Sequence, residues 1–119
     1  MFLVHGLRPY YGEMYAALSE VYREGRIRAI GVCSSLPGHL EYLKEFSDVV
    51  PAVNQFEISP LNTQKNLIRY CKERGIAVTA MSTFSHYRSV KPRLEILENP
   101  EILDIAGKYG KSAAQVILK

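Results

Sequence analysis

Short apolar runs alternate with longer stretches of helical periodicity along the 119 residues. Phe2-Leu3-Val4 is the first run and reads as a strand. From about Gly12 to Glu24 the apolar positions recur at helical spacing, placing Met14, Leu18, Val21 and Tyr22 on one face with Gly25 as the stop. Ala29-Ile30-Gly31-Val32 is the second strand, and Pro37 fits the first turn of a helix whose stripe is Leu40, Leu43 and Phe46. The third strand is Ala52-Val53-Asn54-Gln55. A helix from about Thr63 to Arg74 follows, burying Leu67, Ile68 and Cys71 and capped by Gly75. Ile76-Ala77-Val78-Thr79-Ala80 is the fourth strand, and a basic loop from Ser85 to Arg93 leaves it. Asn99-Pro100 pairs an N-cap with a first-turn proline and starts a helix that ends at Gly110. Ser112 with Gln115 has the capping-box spacing and opens a last helix.

Strands this short and apolar, alternating with helices, imply parallel strands joined by right-handed crossovers. An open doubly wound sheet and part of a (β/α)8 barrel both satisfy that order. The strand ends favour the barrel. In sequence they are His5, then Cys33-Ser34-Ser35, then Asn54-Gln55, then Met81-Ser82, each polar or soft, and no turn carries a G-x-G-x-x-G phosphate loop. A barrel brings all such ends to one mouth, whereas an open sheet needs ligand groups at only one or two of them. The expected fold is α/β, a partial (β/α)8 TIM barrel of about four parallel βα units with extra C-terminal helices. Residues 1–119 are expected to form one domain.

Composition narrows the function classes. With 47% hydrophobic and 23% charged residues the chain is an ordinary globular sequence, and a net charge of +3 is too small to argue for nucleic acid or a membrane surface. Cys33 and Cys71 lack metal-ligand spacing and read as reduced thiols, so neither metal nor disulfide is expected. The apolar run at the N-terminus is ended by His5, too short for a signal peptide or membrane span, which points to a soluble, cytoplasmic protein.

Each candidate side chain carries a functional and a bland reading. His5 suits a proton donor or carbonyl-polarising group, because imidazole titrates near neutrality; it equally suits a strand cap. Gln55 offers two donors and an acceptor that match a carboxamide, and as readily a self-satisfied amide. Ser34 and Ser82 share that ambiguity. Cys33 has no histidine nearby in sequence and reads as a buried structural thiol, and Met81 alone reads as core. His86, Arg88, Lys91 and Arg93 could cover a pyrophosphate or form a solvated loop.

Several segments shift those odds. Leu18-Ser19-Glu20-Val21-Tyr22-Arg23-Glu24-Gly25-Arg26-Ile27-Arg28-Ala29-Ile30-Gly31-Val32 resembles the aldo-keto reductase stretch leading to its G-V-S-N motif. Val50-Pro51-Ala52-Val53-Asn54-Gln55-Phe56-Glu57, with Pro60-Leu61 after it, resembles that family's P-A-V-N-Q-x-E-x-x-P-L. Tyr70-Cys71-Lys72-Glu73-Arg74-Gly75-Ile76 and Lys108-Tyr109-Gly110-Lys111-Ser112-Ala113-Ala114-Gln115-Val116 are similar to its later landmarks. The matches keep the family's order and span nearly the whole chain.

The resemblance implies a (β/α)8 barrel that transfers hydride from a nicotinamide cofactor, in the family usually NADPH with NADH left open here, to an aldehyde or ketone without a metal. The family uses an Asp, Tyr, Lys and His tetrad, and Val4-His5 matches its histidine. Gln55 matches the glutamine that bonds the nicotinamide carboxamide. Cys33 and Ser34 fall where the family has Ser and Asn, Met81 where an aromatic ring stacks on the nicotinamide, and Ser82 at the serine that follows. Gly6-Leu7 stands in place of the usual Trp-Pro. Cys33 donates more weakly than serine, and Ser34 is shorter than asparagine. Met81 keeps apolar contact without the aromatic face.

By the same resemblance, the remaining tetrad members would precede Met1 and the adenosine-phosphate clamp would follow Lys119. None of the eight tyrosines has the catalytic context. The expectation is therefore an aldo-keto reductase fragment, inactive alone and binding cofactor weakly or not at all. The alternative is a non-catalytic half-barrel module for binding or regulation. Open barrel edges would favour a homodimer.

Overall fold

The computed structural model describes residues 1–6, 8–84 and 95–119. Leu7 and the expected basic loop with His86, Arg88, Lys91 and Arg93 lie outside the described residues. The chain divides into two compact units, residues 1–56 with 65–79, and residues 57–64 with 80–119.

The first unit is built on β1 (Phe2–Val4), β2 (Ile30–Cys33), β3 (Val53–Glu57) and the start of β4 (Ala77–Met81), in the order β1-β2-β3-β4. The pairs β1–β2 and β2–β3 are parallel, with Val4 opposite Val32 and Cys33 opposite Gln55. The α/β order and parallel pairing are those expected. β2 is central, and all four of its residues are buried. Gly31 is there because the strands pass so closely. A Cβ on it would lie 2.5 Å from the Val53 carbonyl oxygen and 2.7 Å from Leu3 Cδ2.

Three helices belong to this unit, α1 (Tyr11–Arg23), α2 (Pro37–Leu43) and α3 (Lys65–Glu73). Leu40 and Leu43 of α2, and Leu67 and Cys71 of α3, are buried as their spacing implied. The buried face of α1 differs from the expected one. Met14 and Tyr22 are exposed, while Tyr11, Gly12, Tyr15 and Ser19 are buried. The buried stripe runs through Tyr11 and Tyr15 instead of Tyr22, because a ring is favourably buried where its hydroxyl finds a partner. Tyr15 donates to the Val49 carbonyl oxygen at 2.9 Å, and Tyr11 bonds Ser35 Oγ. Phe46 lies against the bare Cα of Gly12, where a Cβ would meet its ring at 2.5 Å.

The second unit carries α4 (Pro100–Tyr109) and α5 (Ala113–Ile117). Their caps are those the sequence implied. Asn99 Oδ1 accepts from the Glu101 and Ile102 amides at 2.9 and 3.3 Å, and Ser112 Oγ accepts from the Gln115 amide at 3.2 Å while Gln115 Oε1 accepts from the Ser112 amide at 2.9 Å. Gly110 closes α4 at φ 59°, a left-handed conformation that costs glycine little.

Candidate active site at the strand ends

Parallel pairing without slippage puts the C-terminal ends of β1, β2 and β3 at one end of the sheet; His5 follows β1 and Cys33 ends β2, while Gln55, expected as a strand end, is level with Cys33 inside β3, which runs on to Glu57. His5 is exposed. Cys33, the last residue of β2, is buried, and burial raises its thiol pKa, so it stays protonated near neutrality. Its Sγ lies 3.9 Å from Gln55 Oε1, in reach of a weak S–H···O bond. Gln55 is half-buried on β3, and its carbonyl oxygen accepts from the Ser34 amide at 2.8 Å.

Ser34 itself is exposed and sits at φ 52°. A non-glycine residue there costs about 1–2 kcal/mol and persists only where its surroundings hold it. Behind it, Asn54 and Ser35 are fully buried and bonded to each other twice. Tyr11 reaches Ser35 from α1, and burial raises the phenol pKa, with the Ser35 bond opposing. Residue order marks Ser35 and Asn54 only as polar strand-end residues and gives no sign of Tyr11; that the three bond one another is set by the tertiary structure. The available signal was Asn54 itself, an amide inside a strand where Val53 and Phe56 flank the Asn54-Gln55 pair.

Met81 and Ser82 belong to the second unit, at the end of β4 and immediately after it. Both are half-buried, and Ser82 has φ 53°, nearly that of Ser34. The two strand exits thus share one backbone device.

A cavity of about 450 Å³ in the first unit lies at the opposite, N-terminal ends of the strands, lined by Leu40, Leu43, Val50, Pro51, Tyr70 and Arg74 among others. It contains none of the strand-end side chains. Among the described residues no group of three or more His, Cys, Asp or Glu side chains is placed to hold a metal ion, and no helix is long and apolar enough to cross a membrane.

The polar ends of successive parallel strands, each followed by a helix, match a known group of enzymes. The model of the aldo/keto reductase family covers residues 1–119. The chain belongs to the aldo/keto reductase family. It is 40% identical over 120 residues to the uncharacterized oxidoreductase YtbE of Bacillus subtilis, covering 100% of this chain and 40% of that protein. It is also 40% identical over 109 residues to the glyoxal reductase of the same organism, covering 92% and 37%. Among solved structures, the aldo-keto reductase MGS-M4 from a Medee basin deep-sea metagenome library superposes with TM-score 0.85 at 31% identity, over 97% of this chain and 42% of that one. A Bombyx mori aldo-keto reductase in complex with NADP superposes with TM-score 0.79 at 29% identity, over 98% and 42%. The chain therefore spans about two fifths of the length of the relatives it matches. The partial-barrel expectation agrees with these superpositions, since the four strands match part of an aldo-keto reductase barrel.

Proposed function

We propose that residues 1–119 are a stretch of one NADPH-dependent reductase domain for small aldehydes or ketones, supplying the carboxamide side of its cofactor mouth. The observation that carries the reading is the register of Cys33 against Gln55, with the Ser34 amide on the Gln55 carbonyl. That register sets a thiol, a hydroxyl and a side-chain amide side by side, a donor and acceptor set that fits a nicotinamide carboxamide. When bound, NADPH supplies hydride. Gln55 would hold the carboxamide, Ser34 would offer it a hydroxyl, and Cys33 would orient the Gln55 amide. Met81 and Ser82, in the second unit, stand at the family's positions for an apolar contact and a further hydroxyl. His5 bonds the carbonyl oxygen of the substrate and orients it.

This chain alone does not reduce carbonyl compounds above background. The carbonyl oxygen needs a proton as it is reduced, and general acid catalysis is worth about 10² to 10⁴ in rate. No tyrosine here matches the family's proton donor. Cofactor affinity is weak, because several anchoring contacts at about 1–3 kcal/mol each are missing from these residues. The decisive assay follows reduced-nicotinamide absorbance with a panel of aldehydes, comparing purified chain with His5→Ala. Turnover lost in His5→Ala overturns the inactivity, and calorimetry that finds micromolar NADPH binding overturns the weak affinity.

The chain acts in the cytoplasm, in keeping with its reduced cysteines. A second copy pairs with it through the terminal strands β1 and β4, where Phe2, Ala77, Thr79 and Ala80 are exposed. A monomer in sedimentation at high concentration removes that pairing.

A further inference from the structure

Ser34 holds an unfavourable backbone conformation at the place where the mouth needs a hydroxyl, and the cause lies one layer behind it. Asn54 Oδ1 accepts from the Ser35 amide at 3.3 Å, while Asn54 Nδ2 donates to the Ser35 carbonyl oxygen at 2.8 Å. One side chain thus grips both peptide groups of a single residue. A lone bond would leave the turn a pivot, whereas two bonds from one planar amide fix both its position and its rotation. The same Nδ2 lies 3.7 Å from Cys71 Sγ on α3, so the amide is itself braced. A third tie comes from Ser35 Oγ, which bonds the Tyr11 hydroxyl and donates to the Cys33 carbonyl oxygen at 3.3 Å.

We propose that Asn54 is a positioning residue of this mouth: its buried amide locks the β2 exit turn, and so sets Ser34 and Cys33 beside Gln55. The role deepens the cofactor-mouth reading and rests on it. Asn54 and Gln55 are consecutive in β3, and their side chains leave opposite faces of the strand. One strand therefore presents Gln55 to the mouth and anchors the neighbouring strand's exit from behind. Burying an amide fully is costly unless every polar atom is paired. Packing alone would be met at this position by valine or leucine, whereas both hydrogen-bonding ends of the Asn54 amide are spent on one turn. Asn54 touches no ligand position, so its effect on binding passes through Ser34, Cys33 and Gln55.

The test uses amide hydrogen exchange by NMR on the whole chain, together with titration of the Gln55 side-chain amide signals by nicotinamide mononucleotide. In Asn54→Leu, protection at Ser34 and Ser35 is expected to fall by about tenfold or more, the loss of one to two hydrogen bonds. Val32 and the middle of α1 keep theirs, and the half-saturating ligand concentration rises by a similar factor. In Asn54→Asp, the introduced carboxyl can both accept from and donate to Ser35 only while protonated. Protection at Ser35 should therefore recover as the pH is lowered through that carboxyl's titration, a profile the unmodified chain lacks. Unchanged protection and titration in Asn54→Leu overturn the proposal, as does a uniform loss across residues 1–56. If Asn54→Leu does not fold, the Asn54→Asp profile decides, and its absence overturns the proposal. If Gln55 in the unmodified chain ignores the ligand, the cofactor reading fails, while exchange at Ser34 and Ser35 still decides the role of Asn54.

Discussion

The two units of this chain differ sharply in how they use their apolar residues. In the first, β2 is wholly buried, and Tyr15, Leu43, Val4 and Cys71 are each at most 2% exposed. In the second, Ile96 and Ala106 are the buried hydrophobic residues among those described, while Leu103, Ile105, Tyr109 and Leu118 are all exposed, from 41% to 73%. The helices of the second unit are well capped all the same. Capping is local and needs only a few neighbouring residues, whereas burial needs a partner surface. A chain can therefore form its helices faithfully and still leave their apolar faces in water. Of the candidate residues, His5, Cys33, Ser34 and Gln55 belong to the packed unit, and Met81 and Ser82 to the other.

Paired substitutions test that contrast, and core truncation should show it most strongly. Leu43→Ala is expected to cost about 2–5 kcal/mol, while Ile105→Ala stays within about 0.5 kcal/mol. Urea denaturation followed by circular dichroism measures both, and equal costs would break the comparison. A glycine in each unit gives the next contrast. Gly31→Ala drives a Cβ onto the Val53 carbonyl and should destabilise by about 1–3 kcal/mol. Gly107→Ala, in open space inside α4, should stabilise that helix by about 1 kcal/mol.

Titration gives two smaller effects, both in the first unit. Burial raises the Tyr15 pKa well above its ordinary value near 10.0, with the neighbouring Tyr11 adding to it. Burial also raises Cys33 and Cys71 from 9.0. Groups whose folded pKa is raised add stability below their unfolded pKa, and that stability is lost as the pH rises through the folded value. Stability should thus fall from about pH 9 upward. Tyr15→Phe should flatten the part of that fall above about pH 10 while costing about 1 kcal/mol near neutrality for its lost bond to Val49. Thermal melts across pH check the sign. The smallest effect lies at Glu41. Its carboxyl is held down from 4.5 to about 2, chiefly by the Lys44 ammonium and then by the Tyr70 hydroxyl. Its contribution is present above pH 4.5 and lost as the pH falls toward 2. Because Glu41 is exposed, Glu41→Gln should alter only this acid limb, and added salt should erase the difference.

Much of this protein was legible in residue order. The four strands, the caps at Asn99 and Ser112 and the stripe Leu40–Leu43 lie where the pattern puts them, because periodicity and capping are written over a few consecutive residues. The ends of β2 at Cys33 and of β4 at Met81 were legible for the same reason, whereas Gln55 lies inside β3, which runs on to Glu57. The face of α1 was not. Tyr11 and Tyr15 are buried there only because Ser35 and Val49, remote in sequence, satisfy their hydroxyls.

By itself, then, the sequence determined which segments become strands and helices and, through its motifs, the family. Only the tertiary structure decided that Cys33 faces Gln55, that Ser34 turns through a left-handed conformation, and that Asn54 spends its amide on Ser35. Each of those depends on a register between strands about twenty residues apart, as Val32 lies opposite Asn54. A shift of one residue would turn every side chain to the other face. Local propensity does not encode that choice. It is made by the close passage of Gly31 under Val53 and by the cost of leaving a buried amide unpaired.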